Sequence, residues 1–326
     1  MVDILIVGAG PAGLATAIAA RQAGLSHVLI EKGALVNSIL NFPRNMVFFT
    51  TPDLLEIGGL PFTTPFEKPT RVEALRYYRR VTEAFDLQVQ LHEKVTSIDR
   101  GTDFETATSR PDGVRKSYHS RFVVVATGYY DNPNMLRVPG EDLPHVSHYY
   151  TEAHPYYRQR VVVVGGKNSA AEAALDLWRS GARVTLVHRG SRLGDAIKYW
   201  VKPDIENRIK EGSIEARFGA RVVEVRNSSV VVESDGASDE IPADAVFLLT
   251  GFRPDVELLR RAGVRVDETT LAPVHDPETL ESNVPGLYLA GAVVSGRETN
   301  RVFIENGRFH GKLILQAIRR KLSEAS

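Results

Sequence analysis

The stretch Asp3-Ile4-Leu5-Ile6-Val7-Gly8-Ala9-Gly10-Pro11-Ala12-Gly13 decides how the rest of the chain is read. Its apolar run, cut off by a glycine, has the pattern of a short strand buried on both faces. Gly8, Gly10 and Gly13 follow at G-x-G-x-x-G spacing, and the alanine-rich residues 14–23 predict a helix that stops at Gly24. His27-Val28-Leu29-Ile30 predicts a second strand, which ends at Glu31. Strand, glycine turn, helix and a strand-end acid about 20 residues after the turn make a dinucleotide-binding β-α-β unit. The first glycine allows the tight turn, the second lets a pyrophosphate reach the backbone, and the third lets helix and strand pack closely. Unpaired N–H groups and the positive dipole end of the helix then face the phosphates. Pro11 and Ala12 lie inside this loop. Glu31 is placed to accept hydrogen bonds from ribose hydroxyls, the plainer alternative being a solvated acid at a strand end.

The chain repeats this unit once. Val161-Val162-Val163-Val164 predicts a strand, Gly165-Gly166-Lys167-Asn168-Ser169-Ala170 a turn, residues 171–179 a helix, and residues 183–187 the next strand. Lys167 stands where the middle glycine was, and Ala170 where the third was. No acid occupies the ribose position; the stretch there is His188-Arg189-Gly190-Ser191-Arg192. A carboxylate would repel a 2′-phosphate, whereas Arg189 and Arg192 can pair with one, so the second unit favours NADPH over NADH. A basic surface loop is the plainer alternative.

Composition bounds the rest. At about 150 residues per domain, 326 residues suggest roughly two domains. Forty basic and forty acidic residues argue against a nucleic-acid or membrane-surface footprint. No signal segment and no run of about 18 apolar residues is visible. Zero cysteines exclude a disulfide scaffold, a thiolate metal site and a redox Cys-x-x-Cys. His92 and His275 lack the spacing of a metal site, and none is expected. The polar residues 101–120 predict a hairpin or loop.

Downstream of each unit an apolar strand ends in Thr-Gly, at Thr127-Gly128 and Thr250-Gly251. Each would close a nucleotide site from its far side. Gly286-Leu287-Tyr288-Leu289-Ala290-Gly291 predicts another buried strand, and residues 303–321 a long helix.

This order of motifs resembles the two-dinucleotide-binding-domain flavoproteins, with the low-molecular-weight thioredoxin reductases similar in length and layout. The resemblance covers nearly the whole chain. It implies an α/β fold of two Rossmann-like domains, with FAD on the first and NADPH on the second. The FAD domain would comprise residues 1–133 and 254–326 and the NADPH domain residues 147–250, with crossings at 134–146 and 251–253. It also implies cofactor contacts at Lys32, Asn41, Val95, Thr127, Gly128, Gly291, Val302 and Phe303. The last helix, beginning near Val302, would direct its dipole at the flavin. The stretches Asn37-Ser38-Ile39-Leu40-Asn41-Phe42-Pro43, Lys68-Pro69-Thr70-Arg71 and Phe303-Ile304-Glu305-Asn306-Gly307-Arg308-Phe309-His310-Gly311 narrow the resemblance to the bacilliredoxin reductases, also called bacillithiol-disulfide reductases. Leu55-Glu56-Ile57-Gly58 and the turn with Lys167 belong to the same pattern. That family implies a cytoplasmic, homo-oligomeric enzyme that passes electrons from NADPH through FAD to bacilliredoxin or a low-molecular-weight thiol disulfide.

Two departures bear on the chemistry. Thioredoxin reductases carry Cys-x-x-Cys just before the second fingerprint, where this chain has residues 148–157 without a thiol. Many bacilliredoxin reductases carry a cysteine where this chain has Ala12. Three readings follow: a flavin disulfide reductase using a substrate thiolate, a ferredoxin- or flavodoxin-type NADP reductase, or a nucleotide-binding redox sensor without turnover. The absence of an F-x-G-x-x-x-H-x-x-x-[WP] string speaks against a monooxygenase. Asn306 and His310, four apart on the expected helix, share a face, and His310 is the candidate proton donor to a leaving thiolate. A histidine that caps a hydrogen-bond network is the plainer alternative. His148, Tyr149 and Tyr150 either line the nicotinamide or acceptor site or form an aromatic hinge.

Overall fold

A computed structural model describes residues 1–324. The chain forms two compact units, the first built from residues 1–40, 46–132 and the chain from Phe252 onward, the second from residues 41–45 and 133–251. The strands of the first unit that precede the crossing are β1 (Val2–Val7), β2 (His27–Ile30), β3 (Val89–Gln90), β4 (Lys94–Arg100), β5 (Phe104–Ser109) and β6 (Arg115–Val125). The second unit holds β7 (Val146–Ser147), β8 (Arg160–Val164), β9 (Arg183–His188) and β10 (Glu215–Phe218). It continues with β11 (Arg221–Arg226), β12 (Ser229–Ser234), β13 (Ala237–Pro242) and β14 (Ala245–Leu248). After the return comes β15 (Leu287–Leu289). The helices are α1 (Pro11–Gln22), α2 (Asn37–Leu40), α3 (Pro52–Leu55), α4 (Arg71–Ala84), α5 (Asn168–Arg179), α6 (Lys202–Lys210), α7 (Val256–Arg261), α8 (Ile304–Gly307) and α9 (His310–Glu324).

The first sheet runs β3-β2-β1-β6-β5-β4, with β15 added beside β6. Strand β6 serves three ladders. Its first half, from Arg115 to Ser120, pairs antiparallel with β5, as the expected hairpin does. Its second half pairs parallel with β1 and with β15, as in Val123 against Leu5 and Leu287. Such a strand, covered on both faces, must be apolar throughout. Phe122, Val123, Val124 and Val125 meet that demand and are buried. The second unit has an all-parallel sheet, β10-β9-β8-β14-β7, and an antiparallel sheet, β11-β12-β13. Each unit has its own apolar core, built around Leu5, Val123 and Leu289 in the first and around Val163, Leu186 and Phe247 in the second.

The two β-α-β units form where the spacing places them, and the boundaries differ in detail. Besides the short excursion of residues 41–45, the chain passes between units after Asn132 and after Gly251. Residues 134–146 are not a bare crossing. Leu136, Val138, Leu143 and Val146 pack on the second unit's core, and Asn134 is held by Thr250, whose hydroxyl donates to its carbonyl at 2.6 Å. Residues 41–45, expected with 1–133, belong to the second unit, where the Arg44 amide donates to Thr151 O at 2.8 Å and its guanidinium pairs with Glu152 at 3.2 Å. The expected long helix over 303–321 is broken at Arg308 and Phe309 into α8 and α9. No helix among the described residues is long and apolar enough to cross a membrane.

Candidate dinucleotide sites

In the first loop the three glycines answer different demands. A Cβ on Gly8 would lie 2.6 Å from Ala126 O, and one on Gly13 would lie 2.0 Å from Gly8 O. Both are therefore close-packing positions where a side chain must displace backbone. A Cβ on Gly10 would meet nothing within 4 Å, so its bareness serves no contact inside the protein. Helix α1 begins here without a capping side chain. Its first i→i−4 bond is Leu14 N to Gly10 O at 2.9 Å, leaving the Ala12 and Gly13 amides ahead of the ladder.

Glu31 does more than the sequence suggests. Its carboxylate is buried and accepts the Ala9 amide at 2.9 Å on one oxygen and the Gly33 amide at 2.8 Å on the other. It thereby ties the glycine loop to the end of β2. Burial pushes its pKa up, against the pull of the two amides. Each oxygen keeps a lone pair with which to accept from a ribose hydroxyl. Lys32 pairs with Asp131 at 3.0 Å, beside the strand end. Val95 turns its side chain into the core. Past β6, Gly128 takes a φ of +63°, and the Thr127 hydroxyl is buried with no partner among the described residues. Asn41 is exposed and belongs to the second unit.

The second loop is built differently. A Cβ on Gly165 would lie 2.6 Å from Leu249 O and 2.7 Å from Ala170 Cβ, so Ala170 fills the space that the missing third glycine would leave. A Cβ on Gly166 would strike the His188 ring at 2.3 Å. His188 therefore sits over Gly166, with its pKa lowered by burial and by the Arg189 charge. Asn168 spends its side chain on the neighbouring loop, donating to Ala196 O at 3.1 Å and accepting the Lys198 amide at 2.9 Å. Lys167 and Ser169 are exposed at the start of α5. Of the two arginines, Arg192 is bound to Asp195 at 2.8 Å, and Asp195 also accepts from Lys202 at 2.9 Å. Arg189 is exposed and has no ion-pair partner among the described residues. The clue to these roles was the Gly-Gly before Lys167 and the Gly after Arg189, which make room for a ring.

The last segment corrects three expectations. Helix α8 is a single turn, so no long helix dipole starts near Val302. Phe303 precedes it, its amide donating to Asn306 Oδ1 at 2.8 Å, while Asn306 Nδ2 donates to Arg301 O at 2.9 Å. Asn306 and His310 thus sit on different helices, not on one face. His310 Nδ1 accepts the Gly291 amide at 3.1 Å, and burial, followed by the His275 charge, holds its pKa below the ordinary value. A neutral imidazole with Nδ1 engaged is not poised as the expected acid.

Of the aromatic stretch before β8, Tyr150 belongs to the core of the second unit. Tyr150 packs edge-on against Phe247 with ring centroids 5.3 Å apart, and its hydroxyl donates to Asp176. His148 Nε2 stands 3.3 Å from Glu141, within ion-pair range but not aligned as a hydrogen bond.

Residues 5–291 match the pyridine nucleotide-disulphide oxidoreductase family. The chain is 42% identical over 321 residues, 97% of each chain, to a bacilliredoxin reductase of Bacillus subtilis (strain 168). The chain belongs to the bacilliredoxin reductase family. The solved structure of a bacillithiol disulfide reductase from Bacillus cereus matches with a TM-score of 0.96 at 42% identity, covering 98% of this chain and 99% of that one. A ferredoxin–NADP reductase of Ignicoccus hospitalis is 25% identical over 326 residues, covering 98% of this chain and 99% of that one. Membership makes the chain an oxidoreductase of thioredoxin reductase-like fold, and the family's cofactors are FAD and NAD(P)H. The first loop fits such a group: bare space at Gly10, amides ahead of the α1 ladder and an orphaned Thr127 hydroxyl.

Proposed function

We propose that the chain is an NADPH-dependent, FAD-containing reductase of bacillithiol disulfide or of bacilliredoxin. The observation that carries this reading is the pair of glycine loops in separate units, the second with an unpaired arginine at its ribose position. The names of the relatives at 42% identity support the acceptor. When bound, FAD supplies the redox centre between the nicotinamide and the acceptor. The chain's own residues then have defined tasks. The Gly8–Gly13 loop and the Ala12 and Gly13 amides hold the pyrophosphate, and Glu31 orders that loop while offering a lone pair to the ribose. Gly165, Gly166 and the α5 N-terminus hold the NADPH phosphates, with Lys167, Asn168, Ser169 and Ala170 shaping the turn. Arg189 meets the 2′-phosphate directly, and Arg192 joins it by leaving Asp195.

The chain has no cysteine, so a thiolate in the reaction comes from the substrate. The same lack favours a second reading, electron transfer to a ferredoxin-like protein, supported by the full-length similarity to a ferredoxin–NADP reductase. The sensor reading is set aside, since the family is one of enzymes. The proposal includes a cytoplasmic homo-oligomer without nucleic-acid or membrane partners, in keeping with equal numbers of basic and acidic residues. NADPH oxidation is followed with bacillithiol disulfide alone, with bacilliredoxin added, and with ferredoxin. Activity with ferredoxin alone ends the thiol assignment. The double substitution Arg189→Ala with Arg192→Ala is expected to erase the preference for NADPH over NADH, by roughly tenfold or more for two charge-assisted contacts. An unchanged preference removes the 2′-phosphate role.

A further inference from the structure

The turn at Gly291, which follows β15, is held from three sides. Its φ is +75°, and its Cα stands so close to the first glycine loop that a Cβ would lie 2.7 Å from Ala12 Cβ. On another side a Cβ on Gly307 would lie 3.4 Å from Gly291 Cα. On the third, its amide donates to His310 Nδ1 at 3.1 Å. The next residue, Gly311, packs on α1 so tightly that a Cβ would lie 2.6 Å from Thr16 Cα. Two adjacent residues at the start of α9 therefore grip the Gly291 turn and the first half of α1 together. The only polar link among these contacts is the one that His310 makes.

We propose that His310 is a positioning residue of the flavin site: by holding the Gly291 amide through Nδ1, it sets the Gly291 turn against Ala12 and fixes one wall of the FAD-binding loop. This rests on the reading that the first unit binds FAD. With Nδ1 accepting, the ring carries its proton on Nε2 and stays neutral. Burial and the neighbouring His275 charge favour that state. The imidazole acts here as an acceptor of fixed direction, and no proton moves.

Two substitutions separate this role from acid catalysis and from simple packing. His310→Phe keeps the ring and removes the acceptor; His310→Asn keeps an acceptor near the place of Nδ1. FAD binding is measured by quenching of free FAD fluorescence and by the visible flavin band. The expected result is a loss of FAD affinity on the order of tenfold in His310→Phe, from an orphaned amide, and near wild-type affinity in His310→Asn. Thermal midpoints of the FAD-free forms are read in parallel. A purely structural role lowers those midpoints and leaves the FAD Kd unchanged, which overturns the proposal. An acid role leaves FAD binding intact in both variants while both lose turnover, which also overturns it. If His310→Phe does not fold, His310→Gln, whose acceptor is displaced by one bond, takes its place. A several-fold weaker FAD Kd is then expected, and an unchanged one refutes the assignment. Wild-type protein that stays colourless with FAD defeats the underlying reading instead, and is distinguished by that.

Discussion

Gly10 and Gly13 share one loop for different physical reasons, and the difference is measurable. Gly13 is bare because Gly8 O occupies the place of its Cβ, 2.0 Å away. Gly10 has extended backbone, with φ −75° and ψ 177°, which alanine adopts without strain, and open space around it. Gly13→Ala is expected to destabilise the FAD-free protein by about 1–3 kcal/mol, because backbone must move to admit the methyl group. Gly10→Ala is expected to leave its urea midpoint unchanged within about 0.5 kcal/mol yet to weaken FAD by about fivefold or more. A Gly10→Ala protein that binds FAD as the wild type does would place the pyrophosphate elsewhere.

At the scale of elements, the hairpin of β5 and β6 closes a buried network around Glu93, the residue before β4. Glu93 has no exposed side-chain surface and accepts from Thr108 Oγ1 at 2.7 Å and from the Tyr118 hydroxyl at 2.8 Å, with Lys116 3.4 Å away. Its amide donates to the Glu31 carbonyl at 2.9 Å, so the network reaches the strand end that holds the glycine loop. Burial works to raise the Glu93 pKa, but the donors and the lysine hold it below the ordinary 4.5. Tyr118, pushed up to about 12 by burial and by Glu93, remains a donor across the working range. A depressed carboxyl contributes stability that is present above its unfolded pKa and lost as pH falls through its folded one. Glu93→Gln is therefore expected to cost about 1–3 kcal/mol at pH 7 and to show a shallower loss of stability than the wild type below pH about 4.5. Urea unfolding across pH 3–7 reads both, and identical acid slopes in the two proteins would deny Glu93 this role. The broken last helix shows why element ends are hard to read. The pattern over 303–321 contains no proline, and the break falls between Gly307 and Gly311, where the Arg308 guanidinium donates to Asp53 O and Glu56 O at 2.5 and 2.9 Å.

On the scale of the whole molecule, the missing thiol has the widest consequence. With no cysteine in 326 residues, nothing in the chain relays electrons as a dithiol. NADPH oxidation is expected to survive N-ethylmaleimide treatment of the enzyme, with excess reagent removed before substrate is added, at its full rate. Loss of activity would point to modification of some group other than a thiol at the site. Ala12 belongs to this scale too. It stands inside the first glycine loop with a methyl that faces Gly291, and a methyl offers no thiol.

The sequence by itself determined the two β-α-β units, the glycines that must be bare and the family. Those features are local. A strand period, a turn that needs glycine and a helix of alanines are each specified within about thirty residues. Only the tertiary structure decided which polar side chains are free to meet a ligand. Glu31, Asn168, Arg192 and His310 each look available in the sequence. In the fold each is engaged by a partner that the sequence reading did not assign: the Ala9 and Gly33 amides, the loop over 196–198, Asp195 and Gly291. The physical reason is that a polar atom takes the partner that packing brings within about 3 Å, and packing is set by the whole chain.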